Sequence, residues 1–109
     1  MEITAYNMAR LARLPREVRE NQRFVFQWRE GIIGSKIEDV NRKIVLTAKD
    51  GLCSCKIGSI VAWSGSYEAD AWSGKYHAEY AKIRDYFEAR GFGWIFDDGF
   101  EGKDIILYW

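Results

Sequence analysis

Apolar residues in the first part of the chain recur at helical spacing. Met8, Leu11 and Leu14 form one stripe within residues 3–14, and Thr4 precedes them as a candidate N-cap. Pro15 follows, and proline fits best in the first turn of a helix, where its missing N–H has no intrahelical partner to lose. The pattern predicts a helix over 3–14, after which Pro15 either begins a second short helical turn, PREVREN, or marks a kink.

The pattern then changes to alternation. RFVFQWR places Phe24, Phe26 and Trp28 on one face of a predicted strand, and two glycines in the next stretch, GIIGSKIEDV, permit a bend or bulge. NRKIVLTAKDGLCSCKI predicts two strands around Asp50-Gly51, because this dipeptide is favoured in tight hairpins. SIVAW closes the run. These short β segments predict a strongly bent antiparallel barrel over 23–63.

Helical spacing returns near the C-terminal end. Tyr80, Ile83 and Phe87 share one stripe within 77–90, and Gly91 stands where a left-handed C-cap belongs. GFGWIF and DIILYW then predict a hairpin turned through DDGFEGK. The predicted fold is α+β: a small, strongly bent antiparallel β-barrel with an N-terminal helix and a C-terminal helix plus β-hairpin. We expect a single domain over 1–109, with a helical segment 1–22, the barrel-like sheet 23–63, and the helix and hairpin 77–109.

The central segment resembles the small SH3-like and Sm-like barrels. The matching glycine and aliphatic positions are Gly31, Gly34, Ile37, Ile44, Val45, Leu46, Gly51, Ile57 and Ile60. A leading helix such as MARLARL is also similar to that of Sm-like proteins. The resemblance covers about 40 of the 109 residues. It implies binding of RNA, DNA ends or peptides rather than catalysis.

GIIGSKIEDV supports an alternative, because it resembles the GXXG loop and following helix of a KH domain. That loop clamps a nucleic-acid backbone and favours small or basic residues between its glycines. Ile32 and Ile33 occupy those positions, and FVFQW before them is predicted to be a strand where the KH domain has a helix.

Composition fits an ordinary globular protein. Hydrophobic residues make up 48% of the chain and charged residues 29%, and no apolar run reaches the length of a membrane span. MEITAYNMARLARL has no apolar block or cleavage site of a secretory signal, so we expect a cytoplasmic protein. The net charge is zero but divided, with a balance of +4 over residues 1–60 and −4 over 61–109.

Candidate catalytic and metal-binding groups are sparse. Ser64 and Ser73 each lie in a Trp-Ser-Gly sequence, and the only histidine, His77, is four residues beyond Ser73, but no nucleophile-elbow motif surrounds either serine. The acidic stretch IFDDGFEGKDI (Asp97, Asp98, Glu101 and Asp104) could hold a divalent cation, although a hairpin turn explains Asp-Gly better. Cys53 and Cys55 are two thiols, whereas a tetrahedral metal site needs about four ligands. We therefore expect reduced structural thiols, no cofactor, no metal and no enzymatic activity.

The sequence Ala-Trp-Ser-Gly-x-Tyr occurs twice, at 62–67 and 71–76. Each Ser-Gly suggests a chain reversal anchored by its tryptophan. Trp63 ends an apolar strand and is expected in the core, whereas Trp72 and Tyr67 are expected to be more exposed. We assign a partner-binding site to Tyr67, Trp72 and Tyr76, with Arg10 and Arg13 as steering charges. Packing of all these rings in the core remains the alternative.

These features favour a small non-enzymatic protein that regulates or inhibits a larger macromolecule by docking on it, because Trp, Tyr and Arg dominate interface hot spots. Inhibitors from phages and mobile elements often have this composition. The alternative is a single-stranded RNA- or DNA-binding Sm-like module. A binder of small ligands or carbohydrates through the Trp-bearing turns is a third hypothesis.

Overall fold

The computed structural model describes residues 1–59, 75–99 and 102–109, and the side chains of 1–58, 81–95 and 104–109. These residues form four helices and three strands. In chain order the elements are α1 (Ala5–Arg13), α2 (Arg16–Asn21), α3 (Gly31–Lys49), β1 (Ser54–Ser59), α4 (Lys75–Glu88), β2 (Gly93–Gly99) and β3 (Gly102–Tyr108). The strands form one antiparallel sheet in the order β1-β3-β2.

The first two helices follow the local signals. The Thr4 hydroxyl accepts a hydrogen bond from the Asn7 amide, so Thr4 caps α1 as predicted. Pro15 is the N-cap residue of α2. Arg19 of α2 then connects the ends of α1 and α3. Its Nε donates to the Lys49 carbonyl at 2.8 Å and its Nη1 to the Leu14 carbonyl at 2.7 Å. Arg19 thus supplies a donor to a carbonyl at the end of α3 that has no intrahelical partner.

The predicted barrel is wrong, because its central part is the helix α3 and the sheet is open. Ile37, Val40, Ile44, Val45 and Ala48 are buried at helical spacing on one side of α3. The β-branched isoleucines and valines favoured strands in the sequence, but the buried stripe has the period of a helix. The resemblance to SH3-like and Sm-like barrels is therefore not supported.

Asp50-Gly51 ends α3 instead of turning a hairpin. Gly51 has a φ of +83°, its amide donates to the Ala48 carbonyl, and the Leu52 amide donates to the Thr47 carbonyl. These two bonds form a Schellman motif. Gly91 (φ +87°) ends α4 in the same way, with the Phe92 amide donating to the Phe87 carbonyl, and this C-cap was predicted.

The segment 22–30 connects α2 to α3 and belongs to neither helix nor strand, so the strand predicted over 23–29 is wrong. The alternation still has meaning, because Phe24 and Phe26 are partly buried against the core while Val25 and Gln27 are exposed. GIIG forms the first turn of α3 itself, and the non-helical segment 22–30 separates it from α2. The KH arrangement, a loop between two helices, is therefore not formed.

The core lies between the helices and one face of the sheet. Ile57, Ile105 and Leu107 are buried on the strands, and Ile83 and Phe87 of α4 are fully buried, as predicted. Tyr80 was expected to pack beside them, and its side chain lies outside the described residues. The hairpin of β2 and β3 is confirmed, with Ile95 opposite Ile106 and Gly99 opposite Gly102.

Candidate functional site

The predicted partner-binding residues are described only in part. Arg10 and Arg13 are exposed on α1, as steering charges require. Tyr67 and Trp72 lie outside the described residues, as does Trp63. Tyr76 belongs to α4 by its backbone, but its side chain is not described. The partner-binding site assigned to these residues therefore stays a prediction.

An exposed apolar corner that the sequence did not predict lies where the segment 22–30 enters α3. Trp28 is 83% exposed and Ile32 is 64% exposed, and we call this pair the Trp28 corner. A cavity of about 230 Å³ adjoins it, with Phe26, Asp39 and Arg42 among its lining residues. The Arg42 guanidinium lies 5.5 Å from the centre of the Phe26 ring. Trp28 was expected to share one face of a strand with Phe24 and Phe26, but those two rings are partly buried whereas Trp28 is exposed.

A larger polar cleft, of about 990 Å³, opens on another part of the surface. Four parts of the chain line it: the N-terminal residues before and within α1, the segment 22–30, the middle of α3 and the end of α4. The start of α1 is tied to the end of α4 by a hydrogen bond from the Ala5 amide to the Arg90 carbonyl at 3.0 Å. Residues distant in sequence are thereby brought to one site.

Glu38 and Asn41 form the polar floor of this cleft. They are only 6% and 3% exposed. Glu38 Oε1 accepts from Arg29 Nε at 2.9 Å and from Asn41 Nδ2 at 3.0 Å. Glu38 Oε2 and Asn41 Oδ1 are also buried, and no donor among the described residues reaches them. Two buried acceptor oxygens on side chains that line the cleft are thus left without a donor among the described residues.

The orientation of the Asn41 amide follows from its contact with Glu38. Reversing the amide would place Asn41 Oδ1 against the acceptor oxygen Glu38 Oε1, where two lone pairs would repel each other. The amide nitrogen therefore faces Glu38, and the Asn41 oxygen is the group left without a partner among the described residues.

Arginines and a tyrosine form the wall of the cleft beside this floor. Arg29 Nη2 donates to Tyr86 Oη at 2.9 Å. The Arg90 guanidinium carbon lies 3.5 Å from the centre of the Tyr86 ring, and its Nη1 donates to the Tyr86 backbone carbonyl at 2.9 Å. Arg23 also lines the cleft and is exposed. The wall is therefore cationic, whereas the floor accepts hydrogen bonds.

Gly34 allows Arg29 to reach Glu38. A Cβ atom at Gly34 would lie 2.6 Å from the Arg29 Cβ and 3.3 Å from its backbone carbonyl carbon. Only glycine admits so close an approach between α3 and the segment before it. The second glycine of GIIG therefore serves to position a side chain of the cleft, and it does not form a β-bend.

Cys53 and Cys55 are free thiols that differ in environment. Cys53 is exposed, whereas Cys55 is partly buried, and burial raises the pKa of the Cys55 thiol. Since the thiolate is the reactive species, we expect iodoacetamide near neutral pH to modify Cys53 well before Cys55. Peptide mass spectrometry of a time course measures both sites. Equal rates in the folded protein would contradict this, and equal rates after denaturation provide the control.

The described residues contain no group of three or more His, Cys, Asp or Glu side chains placed to hold a metal ion. Of the acidic stretch considered as a cation site, Asp104 pairs with Lys56 at 3.2 Å, and the other three acidic side chains lie outside the described residues. His77 belongs to α4 by its backbone, and Ser64 and Ser73 are not described.

No helix in the described parts of the chain is both long enough and apolar enough to cross a membrane. A scan against protein-family models, a search of curated proteins and a search of solved structures each returned no match.

Proposed function

We propose that this protein is a small, non-enzymatic, cytoplasmic binding protein that regulates or inhibits a larger protein by docking on it through the Trp28 corner. The exposure of Trp28 supports this proposal. A tryptophan that is 83% exposed leaves a large apolar surface in water, and burying such rings supplies much of the energy of protein interfaces. The adjoining cavity offers a recess for a side chain of the partner.

Charge supports a partner with an acidic surface. Residues 1–59 carry eleven Lys or Arg against seven Asp or Glu. Several of these acidic groups are already engaged by neighbouring arginines, as in the pairs Arg16–Glu20, Arg29–Glu38 and Arg42–Asp39. Arg10 and Arg13 remain exposed on α1. An acidic partner would be attracted by this excess, and the attraction would act mainly on the association rate.

The docking proposal is tested with variants of the Trp28 corner. The partner is captured from the native host with the tagged protein, identified by mass spectrometry, and titrated with purified variants. We expect Trp28→Ala to weaken binding at least about thirtyfold while the melting temperature stays near that of the wild type, because loss of a hot-spot aromatic costs about 2 kcal/mol or more.

Ile32 and Leu46 provide a matched pair of aliphatic side chains on α3. They are 64% and 65% exposed and stand roughly 21 Å apart along the helix. Ile32→Ser should weaken binding of the partner, and Leu46→Ser should not. Equal binding by the wild type and Trp28→Ala would show that the Trp28 corner is not the contact. Trp72 and Tyr67 would then be the next residues to substitute.

A single-stranded nucleic acid is the second candidate partner, and one contact favours it. The Arg10 guanidinium lies 5.7 Å from the centre of the Tyr6 ring, and that ring is largely exposed. A basic group beside an exposed aromatic suits a phosphate and a stacked base. A salt titration separates the candidates. Binding to a nucleic acid releases counterions from the phosphates, and this release becomes less favourable as the salt concentration rises, so the affinity should fall steeply.

A further inference from the structure

Two guanidinium groups meet on one tyrosine ring in the polar cleft. The guanidinium carbon of Arg90 lies 3.5 Å from the centre of the Tyr86 ring, and that of Arg29 lies 5.1 Å from it. The two carbons are therefore no more than about 9 Å apart, a separation at which like charges still repel each other. The fold thus holds two cations close together, and a bound anion would offset their repulsion.

Both guanidinium groups keep donors for such an anion. A guanidinium has five N–H donors. Glu38 Oε1 and Tyr86 Oη accept one each from Arg29, and the Tyr86 carbonyl accepts one from Arg90. Both arginines line the cleft, and both side chains are only partly buried. The contacts with Tyr86 therefore position the two side chains and leave most of their donors without an acceptor among the described residues.

The charges of the lining favour a strongly anionic ligand. Arg29 is compensated by Glu38. Arg23 and Arg90 also line the cleft, and no carboxylate among the described residues pairs with either. Glu2 is the other acidic side chain of the lining, so the arginines outnumber the carboxylates. A phosphate monoester carries about −1.5 to −2 charge at neutral pH and has three acceptor oxygens, so it can bridge two guanidinium groups.

An exposed aromatic ring stands beside these arginines. The Ala5 amide donates to the Arg90 carbonyl at 3.0 Å, which brings the next residue, Tyr6, to the end of α4. The Tyr6 ring is largely exposed and lines the cleft. Nucleobases stack on exposed aromatic rings, and a cleft of about 990 Å³ has room for a molecule of nucleotide size.

We propose that the polar cleft binds the phosphate monoester of a nucleotide, with Arg29 and Arg90 donating to the phosphate and Tyr6 stacking on the base. Arg23, which is exposed at the same cleft, adds positive charge that attracts the ligand. This proposal does not rest on docking through the Trp28 corner.

The test is calorimetric titration of the purified protein with AMP, adenosine and ribose 5-phosphate. We expect AMP to bind at least about tenfold more tightly than adenosine, which lacks the phosphate. AMP should also bind more tightly than ribose 5-phosphate, which lacks the base, and equal affinities for these two would overturn the stacking contact. Succinate supplies two negative charges on carboxylates, and binding of succinate as tight as that of ribose 5-phosphate would overturn the assignment to phosphate.

Substitutions assign the contacts. Arg90→Ala should weaken binding of AMP at least about tenfold, and unchanged affinity would remove Arg90 from the site. Arg13→Ala is the matched control, because Arg13 is exposed on α1 outside the cleft, and its loss should leave the affinity nearly unchanged. Tyr6→Ala should weaken binding of AMP and leave that of ribose 5-phosphate unchanged. If Arg90→Ala does not fold, Arg23→Ala still tests the charge of the cleft, because Arg23 is exposed and its loss should weaken both phosphates.

The phosphate monoester could belong to a free nucleotide or to the end of an RNA strand. Short single-stranded RNAs of one sequence, with and without a phosphate at the 5′ end, distinguish these sources. Tighter binding of the phosphorylated strand than of AMP assigns the site to a strand end, and the reverse order assigns it to a free nucleotide. Equal binding of the two strands, with equal or undetectable binding of AMP and adenosine at millimolar concentrations, refutes the phosphate site.

Discussion

Replacing Arg29 with alanine is expected to lower the free energy of unfolding by about 3 kcal/mol. Arg29 Nε and Glu38 Oε1 are 2.9 Å apart, and the side chains are 29% and 7% exposed. Removing the guanidinium leaves the Glu38 carboxylate buried with Asn41 as its only described donor. Breaking one half of a buried ion pair costs about 3–5 kcal/mol, and the lower end applies because Arg29 is partly exposed to solvent. Urea denaturation measures the change.

Arg16 and Glu20 supply a matched control for this measurement. Their Nε–Oε1 distance is also 2.9 Å, but the side chains are 82% and 58% exposed. We expect Arg16→Ala to lower the free energy of unfolding far less than Arg29→Ala does, because exposed pairs on one helix contribute little. The two variants therefore compare a buried ion pair with an exposed one at the same nitrogen–oxygen distance. Similar costs for Arg29→Ala and Arg16→Ala would show that burial of Glu38 is not what makes the first pair important.

A second substitution identifies the source of the loss. Glu38→Gln added to Arg29→Ala removes the buried charge and keeps a polar side chain of similar size. If the unpaired carboxylate causes the loss, the double variant should be more stable than Arg29→Ala alone, by about 1 kcal/mol or more. A double variant less stable than Arg29→Ala would instead assign the loss to packing of the Arg29 side chain.

The sequence was sufficient where local signals agree with one another. The apolar stripe of α1 is preceded by the capping residue Thr4, and the stripe of α4 is followed by Gly91 in a left-handed conformation. Each helix thus has both a periodic face and a terminal signal formed by neighbouring residues. The C-terminal hairpin was predictable for the same reason, because two apolar runs flank a short polar turn.

The sequence misled where one signal fits two structures. Asp50-Gly51 suits a hairpin turn, but Gly51 with a positive φ equally suits the end of a helix. Ile44 and Val45 favour strands by propensity, yet their burial follows the helical stripe of α3. Packing against the core decides such cases, and propensity is only a weak guide. One misassigned helix was enough to convert an open sheet into a predicted barrel.

The polar cleft could not be predicted because its groups meet only in the fold. Arg29 reaches Tyr86 across 57 positions in the chain. Nothing in the neighbouring sequence shows that Glu38 is buried under Arg29. The alternating pattern also placed Trp28 with Phe24 and Phe26 on one face of a strand, whereas Trp28 is exposed and the two phenylalanines are partly buried. The glycine pair of GIIG was a usable signal, since Gly34 marks the close approach that carries Arg29 to the cleft.

Replacing Phe87 with alanine is expected to cost about 3–5 kcal/mol, a loss at least as large as that of Arg29→Ala. Phe87 is fully buried in the core, and its ring makes edge-to-face contacts with Tyr86 at 5.0 Å and Phe92 at 5.9 Å between ring centres. Truncation would leave a cavity and also remove both aromatic contacts, which contribute beyond the buried area. The urea midpoint should fall strongly, with the slope of the transition unchanged if unfolding stays two-state.

Phe87→Leu and Leu46→Ala are the controls for this measurement. Leucine keeps much of the apolar volume, so Phe87→Leu should cost clearly less than Phe87→Ala. Leu46 is exposed on α3, and its truncation should change stability by less than about 0.5 kcal/mol. The Phe87 carbonyl, which accepts from the Phe92 amide at the end of α4, is kept in every variant. A small decrease in the free energy of unfolding for Phe87→Ala would therefore mean that α4 is not packed through this face. Other contacts would then have to hold the wall of the cleft that Tyr86 and Arg90 form.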